Sequence, residues 1–209
     1  MKPALIRAAG VAFAGAAAVT LVATAAPASA APALTVVYDA NGTSLVKKPN
    51  STVTLGPTTL TVGINGDGSF SGDLPIPPTV SQFKVIGLLP ARATVSFVPA
   101  GPVTGQLTSG GGGSRVSSVA HYYLKLTNVT LGGLPTFVGQ RCQTKDPVEI
   151  PASTPAGEFF NVTQGGHLTG TYTIGKFANC GLTTGVINLL VPGSGNTLDL
   201  TLSGGRLAS

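Results

Sequence analysis

Leu198, Leu200 and Leu202 alternate with Thr197, Asp199, Thr201 and Ser203 near the end of the chain. Successive side chains of an extended strand point to opposite faces, so this run predicts a strand with one face on a core and the other in water. Leu60, Val62 and Ile64 repeat the pattern against Thr59, Thr61 and Gly63. Further short runs rich in Val, Leu, Ile and Thr predict strands at 34–38, 52–55, 82–86, 93–98, 120–131, 167–174 and 185–191. Gly and Pro interrupt them every eight to twelve residues or so, the spacing of an all-β domain. No stretch beyond the N-terminal segment carries helical periodicity.

Within 120–131 the alternation changes phase. Tyr122, Leu124 and Leu126 share one face while Val129 and Leu131 fall on the other. One extra residue near Thr127-Asn128, a β-bulge, brings all five back to the core side. Asp39-Ala40-Asn41-Gly42 and Asn65-Gly66-Asp67-Gly68 have the composition of hairpin turns, because Asn, Asp and Gly reach positive φ cheaply. Ser109 to Ser114 reads Ser-Gly-Gly-Gly-Gly-Ser, a linker composition between two β-rich halves that share one core. The expected fold is an antiparallel β-sandwich over residues 31–209.

The first thirty residues read as an address. Lys2 and Arg7 precede an apolar stretch from Ala8 to Ala25, and Ala28-Ser29-Ala30 supplies the small residues of a cleavage site. The expected leader is 1–30, with a mature chain that starts at Ala31 and works outside the cytoplasm. The alternative is a retained anchor, since the run approaches the length that spans a bilayer. With cleavage, no membrane span is expected in what remains.

Charge then narrows the function classes. Removing Lys2 and Arg7 with the leader leaves ten Lys and Arg against seven Asp and Glu, a net of +3. Apart from Lys47-Lys48 the basic residues are scattered along the sequence, whereas nucleic-acid binding needs a basic stripe or cluster. A nucleic-acid partner is therefore not expected. Cys142 and Cys180 are the only cysteines, and an even pair in an exported chain is most simply a disulfide. Neither a CxxC spacing nor a local His-Cys cluster suggests a metal, and no cofactor is expected.

Candidate chemistry is thin. His121 and His167 are the only imidazoles, and no G-x-S-x-G elbow accompanies them. Arg141, Lys145, Asp146 and Glu149 form the densest charge cluster, in a Pro-punctuated segment beside Cys142, and mark the candidate recognition loop. Asp146 and Glu149 with the two histidines would be the groups of a hydrolase assembled from distant positions. Asn65, Asp67 and Ser69 lack the later Glu of a calcium loop. No Trp and only Tyr38, Tyr122, Tyr123 and Tyr172 are available to stack on sugars. The mature chain's phenylalanines, from Phe70 to Phe177, read as core.

Several phrases are familiar together: Arg141-Cys142-Gln143-Thr144, Pro147-Val148-Glu149-Ile150-Pro151, Leu168-Thr169-Gly170-Thr171-Tyr172-Thr173-Ile174 and Phe177-Ala178-Asn179-Cys180-Gly181-Leu182. Through them the C-terminal half resembles uncharacterised secreted β-rich proteins of actinobacteria. The resemblance implies a secreted bacterial β-domain with a Cys142–Cys180 bridge and carries no activity, cofactor or binding residue. The leading expectation is a non-enzymatic extracellular or cell-surface domain with a structural or binding role toward cell-envelope components. The alternatives are a carrier of a small apolar or lipid ligand and a secreted hydrolase. A closed apolar cavity favours the carrier, and a filled core favours the structural module.

Overall fold

The computed structural model describes residues 32, 34–85, 88–110 and 112–208; the expected leader and its cleavage point lie outside the described residues. In chain order the strands are β1 (Leu34–Val46), β2 (Ser51–Ile64), β3 (Ser69–Asp73), β4 (Thr79–Val85), β5 (Leu89–Pro99), β6 (Val103–Gly110) and β7 (Gly113–Leu131). After these come β8 (Leu134–Pro135), β9 (Gln143–Thr144), β10 (Val148–Ser153), β11 (Gly165–Ile174), β12 (Phe177–Ala178) and β13 (Gly193–Leu207). A 3-10 turn, Gly181–Thr183, leads into helix α1 (Thr184–Leu190) before β13.

The expected antiparallel all-β fold is present, and the strands of the described residues belong to a single sheet of thirteen. The two facing sheets of a sandwich are not what the pairings describe. The ladder runs β10, β11, β13, β1, β2, β3, β6, β7, and β7 then pairs with β10, so the circuit closes. The physical reason is the length of β7. Its first half pairs with β6 on one side and β10 on the other, and its second half goes on to β5, β8 and β9. Closure removes the free edges that two separate sheets would leave.

At the end where β7 finishes, β5 and β4 form a second storey. β4 packs on the start of β2, where Ser51 Oγ lies 2.5 Å from Ser81 Oγ and donates to the Gln82 carbonyl at 3.2 Å. One apolar interior runs through both storeys, from Val36, Tyr38 and Leu202 to Leu124, Leu126 and Ile187. On β13 the alternation holds as expected, with Leu198, Leu200 and Leu202 inside and Asp199, Thr201 and Ser203 outside.

The bulge in β7 is where the phase change puts it. Arg92 pairs with Thr130 but Thr94 with Thr127, which leaves one extra residue on β7, and Asn128 takes φ 49°. The Asn65–Gly68 hairpin forms as expected, with Gly68 N–H donating to the Asn65 carbonyl at 3.0 Å. Three other expectations are corrected. β1 runs straight through Asp39–Gly42, which is not a hairpin; a Cβ at Gly42 would strike the Asp199 carbonyl, so this glycine admits the close passage of β13. The turn itself falls at residues 47–50. Ser109 and Gly110 pair with Ser114 and Gly113 at the tip of the β6–β7 hairpin, so this stretch is not a linker between two halves.

The third correction concerns 185–191, which is α1 and not a strand. An apolar run this short has no decisive periodicity, and tertiary fastening selects the helix. Only Ile187 of α1 is buried, and its last turn closes with Val191 N–H donating to the Ile187 carbonyl at 2.9 Å. The phenylalanines also divide. Phe97, Phe160 and Phe177 are buried as expected, while Phe137 and Phe159 are exposed.

Candidate functional site

The interior is imperfectly filled. Under α1, in the second storey, lies a cavity of about 150 Å³ whose walls include Phe83, Phe97, Leu124, Leu126, Phe177 and Ile187. A smaller one of about 80 Å³ occupies the first storey among Tyr38, Phe70, Tyr122, Phe160 and Leu200. Phe97 and Tyr172 belong to the walls of both, so these two rings form the floor between them.

The polar atoms near this interior are turned away from it. Tyr38 OH donates to the Val162 carbonyl and Tyr122 OH to the Leu74 carbonyl, each at 2.6 Å, and Tyr172 OH lies 2.7 Å from Ser44 Oγ. Burial pushes the Tyr38 phenol up to about 12. It also raises Tyr122, with the Asp73 charge adding to the effect, and raises Tyr172 against the opposing hydrogen bond from Ser44. Uncharged, satisfied hydroxyls leave a lining of carbon, and among the described residues no buried side-chain N or O lacks a partner. Such a lining offers water few hydrogen-bond partners.

α1 forms the roof of the larger cavity through Val186, Ile187 and Leu190. Cys142 and Cys180 form the expected disulfide, S–S 2.01 Å, just before the 3-10 turn. At the other end of this roof, buried Asn196 accepts from Lys47 N–H at 3.0 Å and donates to the Tyr172 and Gly193 carbonyls at 3.1 and 2.9 Å.

The charged groups singled out in the sequence lie outside the interior and do not converge. His121 of β7 faces Glu149 of β10 across the ladder, with Nε2 3.9 Å from a carboxylate oxygen. His167 of β11 lies between two acids, Nδ1 3.1 Å from Glu158 and Nε2 3.2 Å from Asp199. Desolvation opposes its protonation, but hydrogen bonds to Asp199 and Glu158 and their negative charges outweigh it and hold this imidazolium above its ordinary value. With both ring nitrogens engaged by carboxylates, His167 has no free base for a nucleophile. Arg141, Lys145 and Asp146 are exposed around β9, while Glu149 belongs to β10, so the candidate recognition loop is split. Among the described residues no group of three or more His, Cys, Asp and Glu can hold a metal ion, and no helix is long and apolar enough to cross a membrane.

The cavity residues were not distinguishable in the sequence as a site, because a void is a property of apolar side chains that fail to meet. A partial signal was present in Val186, Ile187 and Leu190, whose spacing suits one helix face as well as a strand. No family model matches the chain, and comparison with curated proteins and with solved structures finds no match.

Proposed function

We propose that this protein is a non-enzymatic extracellular β-barrel that takes a small apolar guest into the cavity beneath α1. The observation that carries this reading is the carbon-lined void of about 150 Å³ between β2, β4, β5, β7 and α1. A void of roughly this size lined by Leu, Ile and Phe is known to stay dry and accept benzene or xenon. Drug-sized ligands fill about 300–1,000 Å³, so the guest is ring-sized or a short chain. Around this cavity Tyr172 OH pairs with Ser44, Ser51 Oγ with Ser81 Oγ, and the Thr136 and Thr183 hydroxyls donate to the Val129 and Cys180 carbonyls, which leaves shape and dispersion to select the guest.

The leader-like N-terminus supports work outside the cytoplasm, and the Cys142–Cys180 disulfide is compatible with it. The non-catalytic reading is supported by the engagement of His167 with two carboxylates and of His121 with Glu149 alone. Native mass spectrometry of protein purified from its own culture medium tests both halves of the proposal. The expected result is a chain beginning at Ala31 with a small non-covalent adduct that leaves on gentle activation. Absence of the protein from the medium counts against the location. An apo mass that takes up no added toluene counts against the guest.

A further inference from the structure

Among the described residues the five most exposed large apolar side chains, Leu88, Leu134, Phe137, Leu182 and Leu189, have relative exposures between 69% and 104%, with Leu207, at the opposite end, next at 68%. All five lie at the α1 end of the barrel. Leu88 is in the β4–β5 turn and Leu134 in the β7–β8 turn, two tips joined where Ala91 pairs with Leu131. The Phe137 carbonyl lies 3.1 Å from where a Cβ would stand on Gly181, which precedes Leu182. Exposed carbon gathered at one end of a molecule marks a contact surface.

The cations gather there too, although the sequence scatters them. Lys47 and Lys48 fill the β1–β2 turn and lie alongside Gly195 and Gly193, where the chain leaves α1. Lys84 stands in the hairpin that carries Leu88, and Arg141, Lys145 and Lys176 surround the Cys142–Cys180 bridge, with Lys145 N–H bonded to the Lys176 carbonyl. Among the described residues, none of these six is in an ion pair. Asp146 is the acid beside them. The remaining acids lie at mid-barrel or toward the opposite end, where Asp39 binds Arg206 and Glu158 and Asp199 bind His167.

We propose that the α1 end docks peripherally on an anionic lipid bilayer. Phe137, Leu182 and Leu189 enter the boundary between headgroups and acyl chains, and the surrounding lysines and Arg141 meet lipid phosphates. Apolar insertion and electrostatic attraction add in binding of this kind. The barrel wall stays in water, because Thr197, Asp199, Thr201 and Ser203 face outward on β13, the reverse of a barrel embedded in lipid. This inference stands on surface charge and exposure and does not depend on a guest in the cavity.

The test is co-sedimentation of the natively purified protein with phosphatidylcholine vesicles and with vesicles that also contain phosphatidylglycerol. The expected result is binding to the anionic vesicles alone, weakened by added salt. Lys47→Ala with Lys48→Ala should lower partitioning roughly 10- to 30-fold, since each lysine near an anionic surface is worth about fivefold. Leu182→Ser with Leu189→Ser should lower it at least as far while leaving the thermal transition unchanged, because both side chains are in solvent. Arg206→Ala, at the opposite end, should leave it unchanged. No binding to anionic vesicles would overturn the inference. Undiminished binding by the leucine variant would also overturn it, by showing attraction to negative charge without insertion.

Discussion

Asn188 holds the peptide of Phe177 from both sides: its Oδ1 accepts from Phe177 N–H at 2.7 Å and its Nδ2 donates to the Phe177 carbonyl at 3.0 Å. A side-chain amide here does what a neighbouring strand would do, and it fastens α1 to β12 over the larger cavity. Asn188→Ala leaves two backbone groups of a buried residue without partners. The expected loss is about 1–3 kcal/mol in urea unfolding. Amides of residues 184–190 should also exchange faster than the rest of the barrel. An unchanged midpoint with unchanged exchange would remove Asn188 from this role.

The disulfide acts on the same roof by a different route. Cys142 and Cys180 are 38 residues apart, and closing a loop of that length restricts the unfolded chain by about 3–4 kcal/mol in the chain-entropy account. Cys142→Ala with Cys180→Ala should lower stability by about that amount, read by denaturant unfolding without reductant. A loss under about 1 kcal/mol would show that the fold holds this pair together with little help from the bond.

Ala93 is buried in the wall of the larger cavity. Ala93→Leu places three more carbons in the void, and cavity filling of this sort commonly stabilises by about 0.5–2 kcal/mol. The thermal midpoint should rise, and toluene, expected to shift the methyl resonances of Leu124, Leu126 and Ile187 in the native protein, should leave them unmoved in the variant. A lowered midpoint would mean that the side chain meets packed atoms where the structure has space.

His167 gives the fold a pH dependence whose sign follows from its two carboxylate partners. Its folded pKa is raised from 6.5 by Asp199 and Glu158 in spite of desolvation. Its stabilising contribution is therefore complete below 6.5 and is lost as pH rises through the raised folded value. The side chain is 32% exposed, so solvent screens the pairing and the effect is small. The stability difference between native protein and His167→Ala should be largest in mildly acidic buffer and should shrink toward alkaline pH. An imidazole titration midpoint at 6.5 by NMR would remove this dependence, and one below 6.5 would reverse its sign.

Much of the fold was legible in particular residues. The alternation of Leu198, Leu200 and Leu202 placed the inner face of β13, and the phase change after Leu126 placed the bulge at Asn128. Closure was not legible, because pairing of Val148 with Tyr122 joins segments whose local patterns say nothing of their neighbours. Gly42 looked like a turn because its need is the approach of a distant carbonyl, that of Asp199. The same limit applies to Lys47, Lys84 and Lys176, far apart in sequence and gathered by topology at one end. Of the candidate site, the sequence offered the apolar carrier as one reading without showing where the guest would lie.

Crystals of the native protein pressurised with xenon address the central claim directly, since xenon enters dry apolar voids and needs no polar partner. The account predicts a xenon peak beneath α1, between Phe97, Leu126 and Ile187, that disappears in Ala93→Leu. Ordered water in that space, or side chains that fill it, would contradict an interior built to hold an apolar guest.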